Sequence, residues 1–116
     1  MNSRLLGEFG EQEAAKHLRE KGYTIKSANF STYVGEIDII AENKDYLCFV
    51  EVKTRTEGAM LSPKSAVGVH KEKNIEGSAA IYMKRYPTKK IPRYDIIEII
   101  VNDNKVVSLN HIERAF

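Results

Sequence analysis

The sequence predicts a mixed α/β domain, two helices packed on a small sheet in the order αβββαββ. Three observations lead there. Apolar residues recur at near-helical spacing close to the start and again past the middle of the chain. Short runs of β-forming residues, broken by turn residues, fill the rest. The 116 residues, with no internal repeat, low-complexity tract or linker, fit one domain, 1–116. A chain of this length buries roughly two-thirds of its unfolded surface and needs no metal or disulfide staple to fold.

The first helix is expected over Ser3 to Glu20, where Leu5, Leu6, Phe9, Ala14, Ala15 and Leu18 form the apolar stripe. Ser3 can serve as its N-cap, and Lys21-Gly22 supplies a cation and a terminal glycine. Tyr23 to Asn29 reads as a strand. Gly35 to Ala41 and Tyr46 to Thr54 are stronger strands around the turn Glu42-Asn43-Lys44-Asp45. Residues 55–65 carry a glycine and a proline without any period and read as a loop. Ala66 to Tyr86 is expected as the second helix, with Val67, Ile75, Ala79 and Tyr82 among its apolar positions. Tyr94 to Val101 and Lys105 to Leu109 are strands joined by Asn102-Asp103-Asn104.

Composition excludes several classes. The net charge of +2 permits a polyanionic partner without arguing for one. The single cysteine, Cys48, sits between Leu47 and Phe49 and reads as a small buried hydrophobe, which suits a reducing cytoplasm. No apolar run approaches the ~20 residues of a membrane span, and the N-terminal segment has carboxylates where a signal peptide has its apolar core. The expectation is a cytoplasmic protein. His17, His70 and His111 are scattered, without zinc-ligand spacing, and are expected at the surface or in packing. Gly7-Glu8-Phe9-Gly10 lacks the lysine and the preceding strand of a phosphate loop. Lys84, Arg85, Lys89, Lys90 and Arg93, interleaved with Tyr86 and Tyr94, could grip a phosphate backbone, although a solvated helix end is the commoner meaning of such a run.

The unusual stretch is GEIDIIAENKDYLCFVEVKTR, residues 35–55. It reads as a hairpin, yet Asp38, Glu51 and Lys53 interrupt its apolar strands. Side chains alternate faces, so Glu51 and Lys53 share a face while Val50 and Val52 point away. A hairpin centred on Lys44-Asp45 sets position 38 opposite 51, and facing residues share a sheet face. Ile37, Ile39 and Ala41 then align with Cys48, Val50 and Val52 in one apolar face. Ile40, Leu47 and Phe49 lie on the other, with Glu36, Asp38, Glu51 and Lys53 at its far end. A slip of one residue would mix the two sets.

Paired carboxylates repel unless a cation or a proton lies between them. Mg²⁺ takes oxygen ligands, typically one or two carboxylates plus waters and phosphate oxygens. A bound divalent ion lowers the pKa of its water and neutralises charge on a phosphoryl group. A neighbouring lysine can hold a phosphate oxygen or orient the attacking water. Asp38, Glu51 and Lys53 thus supply the parts for metal-assisted phosphodiester hydrolysis. A solvated ion pair is the commoner meaning of EVK or GEID taken singly; the two motifs in one register-matched hairpin, after a helix bearing Glu8, Glu11 and Glu13, outweigh it.

The arrangement of an aspartate and an E-x-K in adjacent strands after an acidic helix resembles the PD-(D/E)XK nuclease superfamily, close to the archaeal Holliday-junction resolvases. More narrowly, the chain resembles the YraN-like bacterial family from about residue 6 to its end. The matching pieces are Gly10-Glu11-Gln12-Glu13-Ala14, Gly22-Tyr23, Asn29, GEIDIIA at 35–41 and FVEVKTR at 49–55. They continue with Ala66-Val67, Lys71, Arg93 to Ile97, His111-Ile112 and Ala115-Phe116. The resemblance implies a restriction-endonuclease-like fold, a mixed central sheet flanked by helices. It also implies Asp38, Glu51 and Lys53 as the catalytic core, with the Val52 backbone carbonyl as a further ligand of Mg²⁺ or Mn²⁺. Glu11 matches the helix carboxylate that completes such a metal site; the alternative is an exposed helical glutamate. Lys71, together with Arg55, is expected at a phosphate, against a plain solvated helix charge. Glu36 can assist the site without being a core position. Arg93 and Asp95 are expected as a structural ion pair near the site. Family members usually carry an arginine two residues past Asn29 where this chain has Ser31, which weakens a nucleic-acid contact there.

The function expected on these grounds is a metal-dependent endonuclease on DNA, including branched or recombination intermediates. The alternative is a catalytically silent nucleic-acid-binding accessory protein; an assembly partner with a structural salt bridge is weaker still. No membrane partner is expected, and a homodimer is left open.

Overall fold

A computed structural model describes residues 1–59 and 69–116, with side chains from 71 onward in the second segment. The elements are α1 (Ser3–Glu20), β1 (Thr24–Thr32), β2 (Gly35–Glu42), β3 (Tyr46–Thr56), α2 (Val69–Arg85), β4 (Ile91–Asn102) and β5 (Lys105–Ile112). This is the αβββαββ order. The sheet runs β1-β2-β3-β4-β5, with β3 and β4 parallel and every other pair antiparallel. The parallel pair requires the long crossover that contains α2. Among the described residues no helix is long and apolar enough to cross a membrane.

Local chemistry accounts for both ends of α1. Its N-cap is Asn2 rather than Ser3, because the Asn2 side chain accepts the Leu5 N–H at 2.9 Å. At the far end Tyr23 N–H bonds to the Leu18 carbonyl and Gly22 N–H to that of Arg19. Gly22 has φ +94, so this is a Schellman cap, which only glycine makes without strain. Gly10, Ala14 and Leu18, one turn apart, are the buried residues of α1.

The two helices cover opposite faces. On the α1 face Ala14, Leu18 and Tyr23 pack with Ile39, Ala41, Cys48, Val50, Ile97, Ile99 and Val101. On the α2 face Ile75, Ala79 and Tyr82 pack with Ile37, Ile40, Leu47 and Phe49. Burying both faces explains why β2 and β3 read as nearly continuous apolar runs.

The hairpin register agrees with expectation: Ile39 pairs with Val50 and Ala41 with Cys48, the parity that sets 38 against 51. Ile37 departs from it. It packs on the α2 face with Phe30 and Ile40, not beside Ile39. Its β1 partner is Phe30, Ala28 pairs with Ile39, and between them Asn29 has φ +53. That left-handed residue breaks the alternation of faces beside Asp38. β1 also runs past Asn29 to Thr32, where it closes directly into β2 through the turn Tyr33-Val34. β3 continues to Thr56, so Arg55 belongs to the strand rather than to a loop, and residues 60–65 lie outside the described residues. The expected helix start at Ala66-Val67 also lies outside them. β4 begins at Ile91 and β5 reaches Ile112, each three residues beyond its expected limit.

Candidate functional site

Where the β2–β3 ladder ends at Ile39 and Val50, the next residues are Asp38 and Glu51. Asp38 stands at the kink opposite Asn29, and its Oδ2 accepts the Val52 N–H at 2.8 Å. A side chain thus occupies the edge of β3 where a backbone carbonyl of β2 would otherwise bond. The N–H and C=O of one strand residue leave on the same edge, so the Val52 carbonyl faces the same side as its N–H. The strands part, and a cleft of about 260 Å³ opens, lined by Glu36, Asp38, Glu51, Lys71 and Asn74.

The charges in this cleft are unusual. Glu51 is only 5% exposed and is paired with the ammonium of Lys71 on α2, itself half-exposed. The Asp38 pKa is raised to about 7 by burial first, then by the charge of Glu51, against the lowering effect of the Val52 N–H. Glu11, on the third turn of α1, also has a raised pKa. Burial is the main cause, a hydrogen bond with Asn29 opposes it, and the charges of Glu36 and Glu51 add to it. Glu11 therefore approaches the cleft from the α1 side, within electrostatic reach of Asp38 and Glu51. Among the described residues, however, no group of three such side chains stands close enough to hold a metal ion together. Asp38 and Glu51 form the compact pair, and Glu11 stands further out.

Cations border the pair. Lys53 and Arg55 follow Glu51 on the same face of β3, and Lys53 pairs in register with Glu98 of β4. The Lys53 pKa is lowered by burial first and then by the charges of Lys71 and Arg55. Three cations, on β3 and α2, thus lie within each other's fields beside the buried Glu51 and the half-buried Asp38.

A donor set of two carboxylates and a backbone carbonyl suits a hard divalent cation, which commonly takes one or two carboxylates and completes its shell with water. Asp38, Glu51 and the Val52 carbonyl fit that chemistry, and Glu11 adds its charge to theirs. Lys71 supplies positive charge at the same carboxylate.

Two other sequence expectations change. The histidines are not scattered in space: His17 Nε2 lies 3.1 Å from His111 Nδ1, and His111 Nε2 lies 2.8 Å from Asp95 Oδ2. The His70 side chain lies outside the described residues. Arg93 donates from Nε and an Nη to the two Asp95 oxygens, at 2.9 and 2.8 Å, and also to the Tyr23 hydroxyl. Burial alone would raise the Asp95 pKa, yet the His111 and Arg93 hydrogen bonds lower it. Arg93 and Asp95 do form the expected ion pair, but away from the cleft. Asp95 pairs with Val50 and lies on the α1 face, whereas Glu51, one residue on, faces α2. Beyond the Arg93–Asp95 pair nothing local signals this network, since its other members come from α1, the α1–β1 link and β5. Burial takes only Arg93 out of the basic run over residues 84–93; Lys84, Arg85 and Lys89 stay exposed, the solvated helix end that is the commoner meaning of such a run. Arg93 is 4% exposed, Arg85 lies over the Phe30 ring, and Lys90 pairs with Glu42.

The fold and the cleft define a class: mixed α/β proteins with an acidic pair, one member buried and one half-buried, at the point where two central strands part, rimmed by cations. Within that class the chain belongs to the uncharacterised protein family UPF0102, the YraN-like family, whose model matches residues 10–99. That span contains Glu11, Asp38, Glu51, Lys53, Arg55 and Lys71. The chain is 42% identical over 119 residues to a UPF0102 protein of Caldanaerobacter subterraneus, covering 100% of this chain and 98% of the relative. It is likewise 42% identical over 116 residues to one from Syntrophomonas wolfei, covering 98% and 99%. A Clostridium acetobutylicum relative is 41% identical over 112 residues, covering 95% and 92%.

Proposed function

We propose that this protein is a divalent-metal-dependent endonuclease that hydrolyses phosphodiester bonds in DNA. The observation that carries the reading is the Asp38–Glu51 pair. Loss of water raises the Asp38 pKa to about 7, and the charge of Glu51 beside it adds to the shift. A fold has little reason to retain that repulsion unless a cation relieves it. Asp38, Glu51 and the Val52 carbonyl would hold Mg²⁺ or Mn²⁺, with Glu11 as the outer carboxylate. When bound, the ion would supply a more acidic water and charge neutralisation at the phosphoryl group. Lys53, whose pKa burial lowers, would hold a non-bridging phosphate oxygen or orient the attacking water. Lys71 and Arg55 would bind phosphates on either side of the scissile bond. Lys71 would exchange its bond to Glu51 for one to the substrate.

The test is incubation of the purified protein with Mg²⁺ or Mn²⁺ and duplex, single-stranded and branched DNA. Cleavage that is abolished in Asp38→Asn and Glu51→Gln is expected. No cleavage of any substrate, or equal cleavage by the variants, would overturn the reading.

One observation favours a second reading, a catalytically silent DNA-binding module. Lys71 already neutralises Glu51 without any metal. On that reading Lys71→Met would weaken DNA binding, while Mn²⁺ would leave the melting temperature unchanged.

A further inference from the structure

Tyr33 is 92% exposed, the most exposed large hydrophobic side chain among the described residues. It sits at the β1–β2 turn, where Thr32 pairs with Gly35 and leaves Tyr33-Val34 as the linking residues. Two-residue hairpins favour glycine or asparagine at positive φ. Neither Tyr33 nor Val34 has a positive φ. The turn is held by Thr32 instead, whose Oγ1 accepts the N–H groups of Val34 and Gly35 at 3.1 and 3.2 Å. Tyrosine is therefore not there for the turn.

Everything around Tyr33 is fastened to α2. Thr32 Oγ1 and Ser78 Oγ share a hydrogen bond of 2.8 Å. A Cβ on Gly35 would stand 3.1 Å from the Asn74 Cβ, and one on Gly77 3.2 Å from a Val34 methyl. Gly35 and Asn74 also line the acidic cleft. The ring thus projects into solvent from a braced support, two residues from the cleft wall. Asp38 stands five residues from Tyr33, a span of at most about 18 Å, or about five nucleotides at the 3.4 Å rise of a stacked strand. An exposed aromatic ring on a rigid mount is a platform for a nucleobase, because every base has a face to stack.

We propose that Tyr33 is a base-stacking subsite of the cleft, taking an unpaired base of a DNA strand up to about five nucleotides from the phosphate at Asp38 and Glu51. This rests on the DNA reading above and narrows it. In a continuous duplex each base is already covered by its neighbours, so the ring gains a partner only at a gap, bulge, end or branch. The subsite selects DNA by structure rather than by sequence.

The experiment measures binding without cleavage, using the Asp38→Asn protein in EDTA. Two probes are used: a duplex with one bulged 2-aminopurine, and the same duplex fully paired. Stacking on Tyr33 quenches the bulged 2-aminopurine. Adding Tyr33→Ala should remove the quenching and weaken binding of the bulged duplex about tenfold, with the paired duplex unaffected. Tyr33→Trp should restore both signals. The melting temperature of Tyr33→Ala should equal that of its parent, because the ring packs against little. Unchanged binding of the bulged duplex, or an equal loss on both duplexes, would overturn the subsite and leave the nuclease reading standing. Failure of the parent protein to bind either duplex would overturn both.

Discussion

Gly10 of α1 lies so close to Thr54 of β3 that a Cβ on the glycine would fall 1.8 Å from the Thr54 Oγ1 and 2.7 Å from its Cβ. The helix backbone rests on the strand, and no side chain larger than hydrogen fits between them. Glu11, the next residue, owes its place near Asp38 to this contact. β3 carries Glu51 and Lys53 just before Thr54, so one crossing point positions both halves of the candidate site.

Gly10→Ala is therefore expected to destabilise the protein, although alanine is the better helix former by about 1 kcal/mol. Forced overpacking of this kind costs about 1–3 kcal/mol. Thr54→Ala in the same chain should recover part of the loss, since it removes Oγ1 and leaves the Cβ contact. Denaturant unfolding of the two single variants and the double variant gives the coupling. Additive effects, or a Gly10→Ala protein as stable as its parent, would show that α1 does not rest on β3 here.

The Arg93–Asp95–His111 network behaves differently from the cleft because its charges are compensated. Asp95 is fully buried and bonded by Arg93, by His111 and by the Arg114 N–H at 3.2 Å. Removing the carboxylate leaves the buried Arg93 guanidinium with only the exposed Glu113 carboxylate, 3.7 Å away, as counter-charge. Asp95→Ala is expected to cost about 3–5 kcal/mol, the usual penalty for breaking a buried pair from one side. Chemical denaturation with and without Mn²⁺ is the check, and the loss should be the same in both. A loss under 1 kcal/mol would mean that water reaches Arg93.

The legible and illegible parts of this molecule divide along one physical line. Both limits of α1 follow from nearby residues, a periodic stripe and a Lys-Gly stop, with an error of one residue at the N-cap. The parity that brings 38 beside 51, just past the end of the ladder, follows from the Lys44-Asp45 turn, because it leaves one register that keeps these two charges out of the α1 core. The displacement of Ile37 to the α2 face depends on the left-handed backbone at Asn29, which a polar residue inside a strand pattern does not announce. The meeting of His17 with His111 spans 94 positions and exists only because β5 returns beside α1. Glu11 was recognised from resemblance, since nothing in its helix separates it from Glu8 or Glu13.

The last prediction uses the sign of the Asp38 shift. Its folded pKa of about 7 lies above the ~3.9 of an unfolded aspartate, so the folded state holds the proton more tightly. In excess chelator, the stabilisation from this proton is complete below about pH 4 and is lost as pH rises through 7. His17 contributes with the opposite sign. Burial lowers its pKa, so its stabilising effect is present above the ordinary histidine range and is lost as pH falls. Asp95, with its lowered pKa, titrates below this window in both states and adds no slope. Subtracting the Asp38→Asn protein from its parent isolates Asp38, because the asparagine keeps an oxygen for the Val52 N–H. The stability of Asp38→Asn relative to its parent should rise by about 2–4 kcal/mol between pH 4.5 and 8, at 1.36 kcal/mol per pKa unit. Mn²⁺ binding should show the same proton from the other side, with affinity falling about tenfold for each pH unit below 7 as the ion displaces it. Unfolding curves across that range, and calorimetric Mn²⁺ titrations in buffers of different ionisation heat, measure both. A flat stability difference would mean that Asp38 is solvated and carries its ordinary pKa. Metal binding without proton release would mean that the ion does not bind at Asp38.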